Sequence, residues 1–228
     1  MTAKASFILA NTEILSPPLI PEIKLHLASE SVPLWQKTEA ELGRLGLEPP
    51  FWAFAWAGGQ ALARYVLDRP DTVRGRSAVD LATGSGLVAI AAAKAGARHV
   101  LAADIDEFAR EAASLNAAIN GIAVTITGDD LLARPLHAAD IILVGDLFYE
   151  QDLAERVFVW LTNAAARGVD VLIGDPGRAY LPKHRLAQLA RYDVPVTRDL
   201  EDALIKQSAV WRLRDFGGWA APAPPGSS

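Results

Sequence analysis

Acidic residues stand at the ends of four successive apolar runs in the sequence. They are Asp80 in VDLATGSG, Asp104 in LAADID, Asp129 or Asp130 in TGDDLL, and Asp146 in VGDLFYE. One acid at a strand end is ordinary turn chemistry, because Asp side chains bond readily to nearby backbone. Four in a row at similar spacing predict a shared site, since the carboxyl ends of parallel strands line one crevice in an open α/β sheet.

A glycine-rich stretch follows the first acid. It contains Ala82, Thr83, Gly84 and Gly86, between a predicted strand and a predicted helix. Small residues at this junction let the backbone approach a ligand closely and expose N–H groups of the helix. The spacing also satisfies a dinucleotide fingerprint, with Asp104 about 20 residues further on, so a nicotinamide or flavin enzyme stays an alternative. The structural alternative is a tight strand-to-helix turn that needs small residues and binds no ligand.

The middle acids suit a nucleoside. A carboxylate at Asp104 can accept both hydrogen bonds of a ribose diol, whereas Asp106 is expected to cap the helix that follows. Asp129 can accept a hydrogen bond from an adenine amino group, and Asp130 can cap or turn the chain. The sequence does not separate Asp129 from Asp130 in this role.

Aromatic residues accompany only the last acid, in GDLFYE. Gly145 is expected to supply a turn and a close approach to a ligand, and Asp146 to orient an amine. Ring faces attract ammonium groups by roughly 0.5–2 kcal/mol, which suits Phe148 and Tyr149 as the lining of an amine channel. Core packing for Phe148, and a helix cap or turn for Asp146, are the structural alternatives.

Composition limits the classes of function. The chain has 228 residues, a net charge of −5 and no cysteine, which excludes disulfides, thiolate catalysis and cysteine–zinc sites. It has no run of about 18 uncharged apolar residues, so no membrane span is expected. An acidic chain without a Lys/Arg block is a poor nucleic-acid binder. No metal site is predicted, because metal-ligand spacing is absent among His26, His99, His137 and His184.

Strand and helix patterns alternate from residue 77 onward. Strands are predicted at 77–82, 99–104, 122–127, 140–146 and 169–174, helices at 86–95, 107–120, 152–166 and 181–191, and a final pair of strands at 194–198 and 207–214. Alternation predicts parallel pairing with right-handed crossovers. The last two strands are too close in sequence for a crossover, so they should form an antiparallel hairpin at the sheet edge.

The two ends of the chain are expected to lie outside the main domain. Residues 1–47 are expected to form an irregular extension with one helix at 33–45, acting as a lid or a substrate contact, and residues 217–228 a flexible tail. Residues 48–216 form the predicted domain. At its start, Trp52 and Trp56 would share a helix face, and Gly58 and Gly59 are expected to break the helical pattern.

Taken together, the motifs resemble one enzyme family. The run DLATGSGLVAIAAAKAGARHVLAADID, followed by NAAING and GDDLL, resembles the core of class I S-adenosylmethionine-dependent methyltransferases, near the ribosomal protein L11 methyltransferase group. PFWAFAWAGGQALARYVLD and the Asp-x-x-Tyr pattern of DLFY resemble the seven-β-strand protein lysine methyltransferases. With GDPGR added, residues 48 to 215 are most similar to the lysine methyltransferases of the electron transfer flavoprotein β subunit. The family usually has glycine where this chain has Ala82.

The resemblance implies an α/β, Rossmann-like seven-stranded methyltransferase sheet, mostly parallel with a C-terminal antiparallel hairpin and helices on both faces. It implies S-adenosyl-L-methionine as cofactor, bound by Trp56, Asp80, Ala82, Thr83, Gly84, Gly86, Asp104, Asp129, Asp130 and Gly145. Asp146 and Tyr149 are the implied catalytic residues. Phe148 and Arg178 are the implied substrate contacts, with Arg178 left open between an acidic feature of the substrate and solvent.

The implied substrate is a lysine of the electron transfer flavoprotein β subunit, modified by a monomeric enzyme in the cytoplasm, or in the mitochondrial matrix if the source is eukaryotic. Ribosomal protein L11 or a small amine is the alternative acceptor. A nicotinamide-dependent oxidoreductase is a further alternative, although no second nucleotide half or hydride-site arrangement accompanies the glycines. The last alternative is a binding module without a cofactor, which is disfavoured because acids stand at all four strand ends.

Overall fold

The acids are brought together by one mixed sheet. The computed structural model describes residues 1–28, 49–134, 138–195 and 205–214 of the chain. Within these ranges a seven-stranded sheet has the order β5-β4-β3-β6-β7-β9-β8, and a separate two-stranded sheet pairs β1 with β2. The strands are β1 Glu13–Leu15, β2 Leu25–Leu27, β3 Ser77–Leu81, β4 His99–Ala103, β5 Thr125–Thr127, β6 Ile141–Gly145, β7 Asp170–Asp175, β8 Leu186–Pro195 and β9 Ile205–Leu213.

Helices cover both faces of the large sheet. They are α1 Ala3–Asn11, α2 Ala57–Asp68, α3 Leu87–Lys94, α4 Glu107–Ile119 and α5 Gln151–Ala165, with short 3₁₀ turns at Phe51–Ala53, Pro70–Thr72, Leu131–Ala133 and Lys183–Arg185. In the described part of the chain, no helix has the length and apolarity to cross a membrane.

Strands β3 to β7 pair in parallel, and their order reverses at β3. Strand β3 lies between β4 and β6, β4 pairs with β5, and β6 pairs with β7. A reversal of this kind opens a crevice outside the carboxyl ends of the strands. The four acidic runs of the sequence end at this crevice. The predicted α/β fold with its mostly parallel sheet is confirmed.

Apolar packing on both faces fixes the central strands. The four residues of β6 from Ile141 to Val144 are fully buried, which is typical of a strand covered on both sides. One core cluster joins α2 and α3 to one face, and a second joins α5 to the other. The apolar stripe of α2 consists of Ala61, Leu62, Tyr65 and Val66, which are all buried.

The predicted helix at 181–191 is wrong. After the turn Lys183–Arg185, residues Leu186–Pro195 form β8, which pairs antiparallel with β9. Leu, Ala, Gln and Arg favour helix, but intrinsic propensity is a weak prior that tertiary pairing overrides. The antiparallel edge hairpin is confirmed, although its first strand begins earlier than the predicted 194–198, of which only 194 and 195 are described.

The N-terminal segment has more structure than the sequence suggested. Helix α1 packs on α4, where the rings of Phe7 and Phe108 lie 5.5 Å apart, and Lys4 forms a 2.7 Å ion pair with Glu107. The indole of Trp52 stacks on the other side of this contact, 6.0 Å from Phe108. The predicted helix at 33–45 and the tail at 217–228 lie outside the described residues.

One buried amide connects the β1–β2 pair, called here the N-terminal hairpin, to the glycine-rich loop after β3. Asn116 of α4 is fully buried; its Oδ1 accepts from the His26 N–H at 2.7 Å, and its Nδ2 donates to the Ser85 carbonyl at 2.8 Å. Four residues later, Asn120 exchanges two similar bonds with the Lys24 backbone, but at a more exposed position. The hairpin is therefore joined to the loop after β3 through Asn116.

We expect Asn116→Ala to lower the free energy of unfolding by about 2–4 kcal/mol, because it leaves a buried N–H and a buried carbonyl without partners. Asn120→Ala is the matched control and should cost about 1 kcal/mol or less, since water can replace its bonds. Urea unfolding followed by circular dichroism measures both. Equal losses for the two variants would contradict the buried bridge.

Candidate active site

The loop after β3 is built on residues with positive φ. Gly84 and Gly86 have φ values of 51° and 80°, and Ala82 has a φ of 53°. An L side chain in this region costs roughly 1–2 kcal/mol, so the backbone conformation at Ala82 is one that favours glycine. A Cβ added to Gly86 would lie 3.0 Å from the Cα of Ala113, so the loop presses directly on α4.

Asp80 fixes the position of this loop through two hydrogen bonds. Its Oδ2 accepts hydrogen bonds from Thr83 Oγ1 at 2.5 Å and from the Ala89 N–H of α3 at 2.9 Å. Burial raises the pKa of Asp80 to about 7, against these two bonds, which lower it. Only 2% of the residue is exposed. Asp80 therefore shapes the loop, and its predicted contact with a cofactor stays a prediction.

Asp104 is less buried than Asp80, and its carboxylate joins the glycine-rich loop to the turn before α4. Its Oδ2 accepts from the Gly84 N–H at 2.9 Å and its Oδ1 from the Asp106 N–H at 3.0 Å. Burial raises the pKa of Asp104. Each carboxylate oxygen accepts two bonds, so both retain capacity for a ligand hydroxyl. The predicted cap at Asp106 is confirmed, because its side chain accepts from the Phe108 N–H at 2.8 Å.

Asp129 and Asp130 have different local partners. Asp130 caps the 3₁₀ turn Leu131–Ala133, accepting from the Leu132 N–H at 3.0 Å, and its other oxygen faces Arg156 at 3.4 Å. Asp129 lies beside the end of β5, where its Oδ2 accepts from Thr127 Oγ1 and its Oδ1 lies 3.6 Å from Arg134 Nη1. Both side chains are exposed, so the choice between them for an adenine contact stays open.

Asp146 connects β6 to the start of α2. Its backbone is left-handed, with a φ of 56°, and its N–H donates to the Gly174 carbonyl at 3.0 Å. Its Oδ2 accepts from the Gly59 N–H at 2.7 Å, which satisfies a free donor in the first turn of α2. Burial raises the pKa of Asp146 to about 6, although the charge of Arg178 opposes the shift. Asp146 is thus a helix-capping carboxylate supplied by a distant strand.

Close glycine contacts make this cap possible. A Cβ on Gly58 would overlap the Gly174 carbonyl, and a Cβ on Gly145 would lie 3.0 Å from the Gly59 Cα. The expectation that Gly58 and Gly59 break the helix is wrong, because both lie in the first turn of α2. Gly145 ends β6, and the structure gives it a packing role against α2 in place of the predicted turn.

Arg178 lies against Asp146. Its Nη2 donates to Asp146 Oδ1 at 3.1 Å, and its guanidinium carbon is 5.8 Å from the centre of the Trp56 rings. The turn that carries it is fixed by Asp175, whose Oδ1 accepts from the N–H groups of Gly177 and Arg178 at 2.6 and 2.7 Å. Asp175 was missed from the sequence, although it continues the series of strand-end acids on β7.

Aromatic side chains form one wall of the site. The ring of Phe51 lies 6.0 Å from Trp56 and 5.8 Å from Tyr149, and Trp56 Nε1 donates to the Phe51 carbonyl. Tyr149 is 46% exposed and Phe51 is 41% exposed, so both can contact a ligand. Phe51 was not predicted. Trp52 is buried and does not share a helix with Trp56, because it belongs to a separate 3₁₀ turn.

The substrate contact predicted at Phe148 is wrong. Its side chain is fully buried in the core cluster beneath α5, so it has no surface to offer. The next residue, Tyr149, faces the opposite way and lines a cavity of about 240 Å³ together with Pro176, Gly177, Arg178, Ala179 and Lys206. Among the described residues, no group of His, Asp or Glu side chains is arranged to hold a metal ion.

We expect Gly58→Ala to lower the free energy of unfolding by about 1–3 kcal/mol, because its Cβ would meet backbone that cannot move without distorting β7. Gly59→Ala is the control: its Cβ would lie 3.8 Å from the nearest atom. The control should be neutral or stabilise the protein by up to about 1 kcal/mol through helix propensity. Chemical denaturation compares them, and equal effects would disprove the close packing of α2 on the strand ends.

Solved structures share this architecture. The crystal structure of the Thermoplasma acidophilum protein 1320 superposes with a TM-score of 0.53 at 19% identity, covering 70% of this chain and 91% of that one. The crystal structure of TrmN from Thermus thermophilus gives 0.50 at 22% identity, covering 67% and 48%. At these identities the likeness concerns the fold alone.

Sequence relatives show the family. The model for ribosomal protein L11 methyltransferase matches residues 60–147. The protein from Rattus norvegicus named electron transfer flavoprotein beta subunit lysine methyltransferase is 41% identical over 216 residues, covering 90% of this chain and 82% of the relative. Its Xenopus laevis counterpart is 40% identical, covering 92% and 87%. The chain is a methyltransferase, which rules out the oxidoreductase alternative, and it belongs to the family of the electron transfer flavoprotein β-subunit lysine methyltransferases.

Proposed function

We propose that this enzyme transfers methyl groups from S-adenosyl-L-methionine to lysine side chains of the electron transfer flavoprotein β subunit. One observation carries the proposal: identity of 41% to the Rattus norvegicus relative extends over 90% of the chain, and so includes both the glycine loop and the Asp146 region. The name of that relative supplies the substrate, and the arrangement of the site supports it.

The residues near the glycine loop fit an adenosyl group. Asp104 offers two oxygens to a diol, and Asp129 or Asp130 offers a carboxylate to an exocyclic amino group. A Cβ added to Gly84 would find only the Trp52 Cα, at 4.0 Å, so the loop leaves open space on that side. When bound, S-adenosyl-L-methionine supplies an electrophilic methyl group on a sulfonium.

The amine must be uncharged when it attacks, and it must lie in line with the methyl group. A free lysine has a pKa of about 10.4, so its deprotonation at neutral pH costs roughly 4.6 kcal/mol. An aromatic wall that excludes water reduces this cost, because desolvation disfavours the ammonium form. The exposed rings of Phe51 and Tyr149 and the indole of Trp56 form that wall beside Asp146.

Asp146 and Tyr149 orient the amine in this proposal. Asp146 Oδ1 accepts a hydrogen bond from lysine Nζ, while Oδ2 stays on the Gly59 N–H. The Tyr149 hydroxyl provides a second polar partner for Nζ. Holding the nucleophile about 3–3.5 Å from the methyl carbon is the main contribution such residues make. A carboxylate by itself favours the ammonium form, so Asp146 binds and orients the amine in place of acting as a strong base.

The flavoprotein subunit is favoured over ribosomal protein L11 as acceptor. The L11 methyltransferase match ends at residue 147 and begins at residue 60. It therefore includes the loop and the acids of the proposed cofactor end, but not Phe51, Trp56, Tyr149 or Arg178. The likeness to the lysine methyltransferase relatives spans nearly the whole chain, and so includes the residues of the proposed amine end.

The first test is transfer itself. The wild-type enzyme with S-adenosyl-L-methionine should methylate lysine in the purified flavoprotein β subunit, as read by mass spectrometry, and leave ribosomal protein L11 unmodified. Asp146→Asn should reduce transfer by about 100-fold or more through misplacement of the amine, with cofactor affinity nearly unchanged. Asp104→Asn is the opposite control, because loss of charged hydrogen bonds should weaken cofactor binding by about 10- to 100-fold.

Calorimetry separates these two variants. A methylated L11 with an unmodified β subunit would contradict the substrate assignment. Full transfer by Asp146→Asn would contradict the orienting role of Asp146.

The pH dependence gives a second test. Asp146 must be ionised to bind the amine, and the raised pKa of this carboxyl, about 6, places its protonation within the working range. Lysine must also lose a proton at every pH below about 10. The logarithm of kcat/KM should therefore rise with a slope of about two below pH 6 and about one above it.

Initial rates over pH 5–9 with the β subunit measure this profile, and stability across the same range is the control. Asp146→Asn should lose the steeper limb in its residual activity. A single slope throughout for the wild-type enzyme would show that Asp146 does not titrate in the reaction.

A further inference from the structure

A cation of the protein already lies where the proposed function puts the substrate amine. Arg178 Nη2 is 3.1 Å from Asp146 Oδ1, and the guanidinium is 5.8 Å from the centre of the Trp56 rings. We propose that Arg178 is an internal stand-in for the substrate ammonium, which must displace it, so that Arg178 determines how selectively the site takes up lysine. This inference rests on the proposed function.

A guanidinium and an ammonium on the same carboxylate oxygen repel each other, so they compete for it. Asp146 is only 8% exposed and its Oδ2 accepts from the Gly59 N–H, so Oδ1, which pairs with Arg178, is the oxygen left for a substrate cation. We call Oδ1 and the face of Trp56 the cation seat. A carboxylate oxygen and an indole face are the partners that an ammonium or a methylammonium group prefers. The guanidinium of Arg178 uses both.

The structure allows the guanidinium to leave while the turn stays in place. The backbone of Arg178 is held by Asp175 Oδ1, and Gly177 before it has a φ of 92°, so the turn itself is fixed. The side chain is 23% exposed and borders the cavity of about 240 Å³ that Tyr149 also lines. A long side chain on a fixed turn can swing into this cavity when another cation takes the seat.

Displacement explains how a buried carboxylate is kept ready for a cation. A buried carboxylate without a partner is costly, and it responds by taking up a proton. Arg178 lowers the pKa of Asp146 against burial, whereas the nearby Asp175 raises it. The stand-in thus keeps Asp146 ionised until the substrate arrives. The cost is competition, because the affinity for substrate falls by the fraction of molecules in which Arg178 occupies the seat.

The test replaces the cation with a neutral side chain of similar length. At about pH 8.5, well above the pKa of about 6 of Asp146, Arg178→Met should lower the KM for the β subunit by about three- to tenfold. The change in kcat should be smaller, and the affinity for S-adenosyl-L-methionine should stay the same. Arg178→Lys keeps a cation and should give a KM between those of Arg178→Met and the wild type.

The matched control is Lys183→Met, which removes the same charge from an exposed position near Gly177. Its KM should equal that of the wild type. A KM that is unchanged or raised in Arg178→Met, or lowered equally in Lys183→Met, would overturn the inference. Cofactor affinity and the unfolding midpoint show that each variant is folded.

The wild-type enzyme in the same assay distinguishes a failure of the proposed function from a failure of the inference about Arg178. No transfer to the β subunit by wild type would overturn the proposed function and this inference with it. Transfer by wild type with an unaltered KM in Arg178→Met would overturn the inference alone.

Discussion

One buried carboxylate holds the two ends of the site together. Asp146 leaves β6 with a left-handed backbone, caps the first turn of α2 through Gly59 and pairs with Arg178 after β7. The cap needs α2 to lie directly on the strand ends, which is why Gly58 is a position where a Cβ has no space. Burial of the charge is tolerated because both oxygens have partners, one from the helix terminus and one from a guanidinium. Helix position and the geometry of the strand ends therefore depend on the same side chain, which in the proposed function also orients the acceptor amine.

The strand-end acids divide into two kinds once their surroundings are known. Asp80, Asp146 and Asp175 are buried, and each accepts backbone hydrogen bonds that fix a loop or a helix start. Asp104 and Asp129 are more open and can still accept hydrogen bonds from a ligand. Burial raises the pKa of all three members of the first kind. Burial also raises the pKa of Asp104, so a raised pKa at this crevice does not separate the acids that brace the backbone from those open to a ligand.

The sequence predicted the central sheet well because alternation of short apolar runs and helices admits few topologies. The sequence-based prediction failed where contacts between distant residues determine the local structure. The strand Leu186–Pro195 has a helical composition, and only pairing with β9 makes it a strand. Phe148 and Tyr149 are adjacent, and no local pattern says which of the two faces the core. The bond between Asp146 and the first turn of α2 joins residues 87 positions apart, so spacing along the chain could not reveal it. Asp175, by contrast, carried the same strand-end signal as its neighbours and was predictable.

The match to the L11 methyltransferase model includes one part of the site and not the other. The L11 methyltransferase match spans residues 60–147, which include the glycine loop and the acids suited to a nucleoside. Phe51, Trp56, Tyr149 and Arg178 lie on either side of that span, in segments matched by the lysine methyltransferase relatives. Asp146 stands at the end of the shared segment, with one oxygen on the helix that begins the core and the other on a residue beyond it. Asp146 thus joins the segment matched by the L11 methyltransferase model to the aromatic and Arg178 segments outside it.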